Sequence, residues 1–308
     1  MISKSQADSL SQASILVVGL ARNCEEKLFL SVSSLSRAFS LAKTVSYLVI
    51  ESDSSDRTVD VLSKLASQIK EFEYVSFGSL VERLQLRTER IAFCRNYYLR
   101  LIQESSKYLH VDYVVIADLD GVNAELAPQS VASCWCRSDW DVCTANQNGP
   151  YYDIWALRHP LWSPNDCFEQ EKMMQSLGVR RFKAIYISTF SRMIRIPIHH
   201  DWIEVNSAFG GLAIYRKSVL MNVCYEGLNP SGREVCEHVS IHRQIGLNGG
   251  EIFINPSLIN ASITEHSRNA TFLGMIKLWF FCQVLDVFKY LGFTSAIKLA
   301  RKSLNFRS

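Results

Sequence analysis

Nine cysteines are spread through the chain without a single Cys-x-x-Cys pair, and nine is an odd number. The closest spacing, Cys134-Trp135-Cys136, suits neither a zinc ribbon nor a disulfide framework. Cys94 and Cys143 fall in apolar runs and read as buried thiols, so a reducing cytoplasm is the expected compartment. A P-loop, a Gly-x-Gly-x-x-Gly turn, a Gly-x-Ser-x-Gly elbow and a recognisable Cys–His pattern are all missing. Hydrolytic readings and the glycine-rich phosphate loops therefore have little support. Met1 to Ser14 is polar and lacks the apolar core of a secretion signal. Without one, Asn260-Ala261-Ser262 and Asn269-Ala270-Thr271 read as chance matches to the glycosylation pattern. The net charge of +3 is too mild to imply nucleic acid, and no dense basic run is interleaved with aromatics. No internal repeat or low-complexity tract is visible.

What is there is ordinary globular material: 308 residues, 48% hydrophobic and 20% charged, enough for one large core with or without an appendage. The first half alternates strand and helix signals. Ile15–Val18 and Val45–Ile50 read as strands, and a helix is expected from Glu25 towards Phe39. Ser54-Ser55-Asp56 offers caps for a second helix with Val59, Leu62 and Leu65 on one face. A weaker strand at Tyr74–Phe77 and a helix from about Thr88 to Ser105 lead to the apolar, β-branched run Tyr113–Ala117. This order predicts an α/β fold, a mostly parallel sheet with flanking helices.

The second half is less regular. Strands are expected at Trp140–Thr144 and Tyr151–Leu157 around an Asn-Gly-Pro turn, at Gly211–Tyr215 and at Glu251–Ile254, with a helix over Glu234–Ile245. Residues 163–200 resist assignment. Residues 272–292 are rich in Phe, Leu, Trp and Tyr, but Lys277, Asp286 and Lys289 interrupt them, so a spanning helix is not expected. Followed by Lys298, Arg301, Lys302 and Arg307, this tail fits equally a helix lying on an anionic membrane surface and one packed on the domain.

The most informative residues are Asp118-Leu119-Asp120-Gly121, directly after the run Tyr113–Ala117. Alternate residues of a strand share a side, so Asp118 and Asp120 can form a hard oxygen site for Mg²⁺ or Mn²⁺, usually completed by phosphates. On the tetrad alone an ordinary polar turn is the stronger reading. Other strand ends add to it. Ala21-Arg22-Asn23 follows the first strand, and Arg22 can meet a phosphate. Glu51-Ser52-Asp53-Ser54-Ser55-Asp56-Arg57-Thr58 follows the second, at the same edge. Arg83, Arg87 and Arg90 would give one helix a basic face, ordinarily a solvated one. Arg95-Asn96 sits in an apolar turn of helix, where a charge needs a partner. Gly210-Gly211 permits close backbone approach, or simply a bend. Glu237 could serve as a general base. His238 and His242 have the spacing of metal ligands, but not within His-Glu-x-x-His, and an ordinary amphipathic helix is the stronger reading of His242. His266 alone reads as an exposed loop residue.

In this order the segments resemble nucleotide-sugar glycosyltransferases of the GT-A fold, over about residues 14–268. The stretch Tyr151-Tyr152-Asp153-Ile154-Trp155-Ala156-Leu157-Arg158 resembles one in capsule-associated α-mannosyltransferases of fungi and their bacterial relatives. The resemblance implies a single GT-A domain between a polar segment, 1–13, and a helical tail, 269–308. It implies that Ala21, Arg22, Asn23, Glu51 and Asp53 line the nucleotide, with Arg95 or Arg22 helping to neutralise the diphosphate. Asp118 would face ribose or metal, Asp120 would hold the metal, and His266 would complete its site. Gly210-Gly211 would lie beside the donor sugar, and Tyr152, Asp153 and Trp155 would hold sugar. Glu237 would carry the base of inverting members, although His238 stands where a second acid is usual. The expected activity is Mn²⁺- or Mg²⁺-dependent transfer of a sugar from a nucleotide diphosphate, GDP-mannose by the fungal similarity, to a glycan or lipid-linked acceptor. The expected setting is the cytoplasm, with membrane-surface contact through 272–307. The alternatives are a nucleotidyltransferase of similar architecture and a non-catalytic glycan-binding protein at a membrane surface.

Overall fold

The computed structural model describes residues 9–290. Lys298, Arg301, Lys302 and Arg307 lie outside the described residues. The elements run β1 (Ser14–Ala21), α1 (Glu25–Ala38), β2 (Thr44–Glu51), α2 (Thr58–Gln68), β3 (Phe72–Ser76), α3 (Arg87–Glu104), β4 (Tyr113–Ala117), α4 (Pro128–Ala132) and β5 (Val142–Gln147). They continue with α5 (Cys167–Ser176), α6 (Arg181–Ser188), β6 (Ile203–Glu204), β7 (Leu212–Arg216), α7 (Glu237–Leu247), β8 (Ile252–Ala261) and α8 (Phe272–Tyr290).

The eight strands of the described residues form one sheet in the order β3-β2-β1-β4-β7-β5-β8-β6. The pairings β1–β2, β1–β4, β2–β3 and β5–β8 are parallel, while β7 runs antiparallel between β4 and β5 and β6 antiparallel to β8. The α/β class and the flanked, mostly parallel sheet are thus as the sequence predicts. The reason is visible in the side-chain alternation. Leu16, Val18, Leu48, Ile50, Val114 and Ile116 pack on one face with α3 and α7. Ile15, Val17, Val49 and Val115 pack on the other with α1 and α2. Covering both faces is what makes the parallel strands continuously apolar.

Several expectations need correction. Tyr151–Leu157 is a turn-rich segment: Asp153 Oδ1 accepts from Ala156 N (3.3 Å) and Tyr152 O from Ile154 N (2.9 Å), which bends the chain out of strand geometry. Val59 is 37% exposed, and α2 buries Thr58, Leu62 and Leu65 instead. Arg83, Arg87 and Arg90 do not make one solvated face, because α3 begins only at Arg87 and Arg90 is buried. The helix expected from Glu234 starts at Glu237. β8 runs on through Asn255-Pro256 to Ala261, with register shifts against β5 between Thr144 and Gln147. Asn260 is fully buried, and its side-chain amide donates to Asn123 Oδ1 (2.8 Å) and Gly210 O (2.8 Å), so the folded protein offers no glycan acceptor there. The nine cysteines are free thiols, Cys94 and Cys143 among the buried ones.

Candidate active site

β1, β2 and β4 lie side by side, with Ala21 paired to Glu51 and Val18 to Ile116, so the loops leaving them meet at one edge. Ligands collect at this edge of open α/β sheets. The first two loops clasp each other. Asn23 Oδ1 accepts from Ser55 N (2.8 Å), Ser54 Oγ accepts from Asn23 N (3.2 Å), and Arg22 Nε donates to Asp53 O (3.4 Å). Asn23 and Asp53 reach this arrangement at φ 48° and 59°, left-handed values that Asn and Asp tolerate best among non-glycine residues. Glu51 lies beneath the loops, 1% exposed, accepting from Ser54 N (3.0 Å) and the Ser76 hydroxyl. The Asp53 carboxylate accepts from Leu80 N (2.8 Å) and Val81 N (2.9 Å) and pairs with Arg90 Nε (3.2 Å). Asp56, one residue before the N-cap Arg57 of α2, accepts from Thr58 N (3.0 Å).

Above these loops opens a cleft of about 1030 Å³. Its walls include Ala21, Arg22, Asn23 and Asp53 from the first two loops, and Arg95, Asp118 and Asp120 from α3 and the end of β4. Tyr152, Asp153, Trp155, Glu237 and His266 face it from the second half of the chain. Segments more than 200 residues apart in sequence therefore share one site. Arg87 also lines the cleft, half-buried, and burial lowers its pKa while Glu237 and Asp118 oppose that shift. The spacing of Arg83, Arg87 and Arg90 reads as a solvated face, whereas the fold turns Arg87 into the cleft and buries Arg90.

The centre of the site is Arg95. Its Nε donates to Glu237 Oε1 (3.0 Å), its Nη1 to the Tyr98 hydroxyl (3.1 Å), and its Nη2 stands 4.0 Å from Asp118 Oδ1. The guanidinium also lies 5.7 Å from the ring centres of both Phe209 and Tyr225. Neighbouring Asn96 braces this wall, its side chain exchanging hydrogen bonds with the Tyr225 backbone (2.8 and 2.7 Å). Desolvation on the cleft floor raises the Asp118 carboxyl to about 8, with the Asp120 charge adding and Arg95 opposing. Because 40% of the Asp118 side chain faces the open cleft, water there softens this shift. Asp120 is exposed and accepts from Val122 N (3.1 Å), which fixes the turn after the strand.

Gly210 and Gly211 sit under the floor at φ 68° and 86°. A Cβ on Gly211 would lie 2.7 Å from the Tyr152 hydroxyl and 2.8 Å from Val122 Cγ1. Glycine is thus required both by backbone and by space. The Gly210 N–H donates to Asp153 Oδ2 (3.0 Å), and burial raises the Asp153 carboxyl. Trp155 Nε1 donates to Asp166 Oδ2 (3.0 Å), leaving its ring against Phe168. His266 stacks on Tyr152, 5.5 Å between ring centres.

Glu237 opens α7, 5% exposed, with His238 beside it. Both His238 ring nitrogens are buried without a hydrogen-bond partner, although the ring stacks on Phe209 at 3.7 Å and lines the cleft. Burial, with Arg95 and His242 adding, pushes its pKa well below the usual range, so the ring is neutral. His242 is committed elsewhere: its Nδ1 meets Ser207 Oγ (3.0 Å) and its Nε2 the Tyr215 hydroxyl (2.6 Å). The two histidines therefore do not form a metal pair.

Among the described residues no three His, Cys, Asp or Glu side chains converge to hold a metal ion. What the cleft does offer is two neighbouring carboxylates of a kind that a divalent cation stabilises, with burial and like charge raising the pKa of one. An ion here would take Asp118 and Asp120 together with ligand phosphates and water, a partial protein shell that suits Mg²⁺.

No family model matches the chain, and no curated protein matches it. Among solved structures, a fragment of TarS from S. aureus is 14% identical, at TM-score 0.46, over 86% of this chain and 64% of that one. The mannosyltransferase PcManGT from Pyrobaculum calidifontis, in complex with GDP-Man and Mn²⁺, is 12% identical, at TM-score 0.44, over 96% and 71%. Glucosyl-3-phosphoglycerate synthase from Mycobacterium tuberculosis, in complex with UDP, is 13% identical, at TM-score 0.39, over 84% and 72%. This chain thus spans under two thirds of the TarS fragment. Likenesses this distant leave function to be argued from the cleft itself.

Proposed function

We propose that the protein is a glycosyltransferase that moves a sugar from a nucleotide diphosphate to a hydroxyl acceptor. The observation that carries this reading is the convergence of the β1, β2 and β4 loops, Asp118, Asp120, four arginines (Arg22, Arg87, Arg90 and Arg95) and Glu237 in one cleft of about 1030 Å³. A nucleoside fits along Ala21–Asn23 and Ser52–Asp53. Arg22 and Arg87 then lie where a diphosphate needs positive charge. A divalent ion held by Asp118 and Asp120 would neutralise the leaving diphosphate as a Lewis acid. Asp153 and the faces of Tyr152 and Trp155 offer a carboxylate and aromatic surface to a sugar. Glu237, on the far wall, takes the proton of the attacking hydroxyl as its oxygen bonds to the sugar carbon and the diphosphate leaves. Arg95 orients that carboxylate. We further propose GDP-mannose as donor and a glycan or lipid-linked glycan as acceptor, at the cytoplasmic face of a membrane.

The test is turnover of nucleotide sugars by the purified protein with Mn²⁺, starting with GDP-mannose and UDP-GlcNAc. Release of free nucleoside diphosphate supports the reading. Release of pyrophosphate, or neither binding nor turnover of any donor, overturns it.

A further inference from the structure

A buried polar atom without a hydrogen bond costs stability, and folded chains leave few of them. Among the described residues two cleft-lining side chains carry such atoms, Asp53 and His238. Asp53 Oδ2 is compensated by the Arg90 charge, 3.2 Å from Nε. His238 has no such compensation. Both its ring nitrogens lack a partner, and Glu237 Oε1 stands 3.6 Å from Nε2, beyond hydrogen-bond length.

Packing does not call for an imidazole here. The ring lies flat on Phe209, 3.7 Å between centres and 18° between planes, with Tyr225 edge-on at 6.2 Å. A phenylalanine would make the same contacts and leave no hydrogen bond unmet. The surroundings also hold the ring still, because Arg95 lies over both Phe209 and Tyr225 and is itself fixed by Glu237 and Tyr98. The two nitrogens are thus preorganised for a ligand.

The neighbours define its chemistry. Burial and the Arg95 charge keep the imidazole neutral, so it offers one N–H and one lone pair. Arg95 opposes a cation, and among the described residues no three His, Cys, Asp or Glu side chains converge on a metal. The Glu237 carboxylate, 3.6 Å from Nε2, opposes an anion. A hydroxyl group is neutral, donates and accepts, and so matches the ring. With Glu237 and His238 this close, a hydroxyl at one lies beside a hydroxyl at the other.

We propose that His238 binds a second hydroxyl of the acceptor, on the carbon next to the one whose hydroxyl Glu237 deprotonates. The acceptor is then a vicinal diol, such as a sugar ring presents, and not an isolated hydroxyl. This assignment rests on the transferase reading and narrows its acceptor.

The experiment is transfer from GDP-mannose or UDP-GlcNAc, with Mn²⁺, to methyl α-mannoside and its four monodeoxy analogues. The analogue without the reacting hydroxyl should give no product. A second, without the neighbouring hydroxyl, should lose about tenfold or more in kcat/KM. His238→Phe should lower kcat/KM for the parent glycoside by the same factor and leave that of the second analogue unchanged, a coupling that a merely structural role does not produce. His238→Gln, which keeps an amide near the position of Nε2, should recover part of the loss. Equal losses by His238→Phe on the parent and every analogue overturn the proposal, as does undiminished transfer by His238→Phe. A wild type that loses transfer only with the first analogue overturns it whatever the variants do. If the wild type glycosylates none of these acceptors, saturation-transfer NMR of the methyl glycoside with GDP and Mg²⁺ takes over. Glycoside binding that His238→Phe abolishes supports the site, and binding that is absent, or equal in the two proteins, overturns it. Only the absence of any donor turnover counts against the transferase reading itself.

Discussion

Arg95 Nε donates to Glu237 Oε1 at 3.0 Å, and the two side chains are 6% and 7% exposed. Removing one partner of such a pair strands a buried charge, whereas removing both is far milder. Arg95→Met should cost about 3–5 kcal/mol in urea unfolding. The double variant Arg95→Met/Glu237→Gln should recover a large part of that loss, a coupling that a double-mutant cycle reads directly. Equal losses in the single and double variants would show that the ion pair contributes nothing to the wall.

Glu237→Gln alone keeps a hydrogen-bond acceptor for Arg95 but loses the base. Turnover should fall by roughly 10²–10⁴ while donor affinity stays within a few-fold. Parallel loss of donor binding in calorimetry would move Glu237 from proton transfer to donor recognition.

Asp118 and Asp120 should not respond alike. Asp120→Asn is expected to abolish Mn²⁺-dependent donor binding with little change in melting temperature, because Asp120 is exposed and its one described protein bond is to Val122 N. Asp118→Asn removes an acid from the buried Arg95 cluster as well, so its melting temperature should shift too. Identical profiles for the two variants would contradict this division.

Gly211→Ala is expected to destabilise by roughly 1–3 kcal/mol from overpacking alone, with the left-handed backbone at φ 86° adding to it. Tyr152→Phe should not rescue it fully, since Val122 Cγ1 would still be 2.8 Å from the new Cβ. Chemical denaturation of both variants measures the difference.

Burial lowers the His242 pKa to about 3 and pushes that of His238 down in the same direction. Between these folded values and about 6.5 only the unfolded chain takes up the protons. Stability is therefore insensitive to these groups above pH 6.5 and declines as pH falls below it, by about 1.4 kcal/mol per unit for each histidine. His242→Gln should flatten the slope between pH 6.5 and 5 by about one proton's worth in denaturation curves. An unchanged slope would mean that His242 takes its proton in the folded state.

The sheet and its ligand edge were readable because β1, β4 and the Tyr47–Ile50 half of β2 are buried on both faces and so are almost continuously apolar. Their lengths, order and the acids after them carry the topology. α5 and α6 were not readable. α5 buries only Cys167 while Met173 is half exposed, so it has no apolar face, and its one signal is the cap, Asp166 accepting from Phe168 N and Glu169 N. The aromatic run at 151–157 reads as strand by composition, yet the Asp153 turn decides its shape. Likewise, the residues that clasp the loops, Glu51 with Ser54 and Asp53 with Leu80 and Val81, follow from partners that only the closed chain brings near. The Arg95–Glu237 pair spans 142 positions, and nothing local in either segment announces the other.

Beneath the floor, four side-chain amide bonds run one way. Gln147 Nε2 donates to Asn260 Oδ1 (3.1 Å), Asn260 Nδ2 to Asn123 Oδ1 (2.8 Å), and Asn123 Nδ2 to the main-chain oxygens of Asp118 (2.9 Å) and Gly211 (3.0 Å). Such a relay has a polarity. Turning Asn260 or Asn123 by half a turn sets oxygen against oxygen on one side and nitrogen against nitrogen on the other, and the main-chain oxygens of Asp118, Gly210 and Gly211, which can only accept, fix the direction of all three amides. The peptide of Asp118 is consequently clamped by strands β5 and β8 as well as by its own, and the spacing of the two carboxylates is a property of the whole sheet rather than of the loop that carries them.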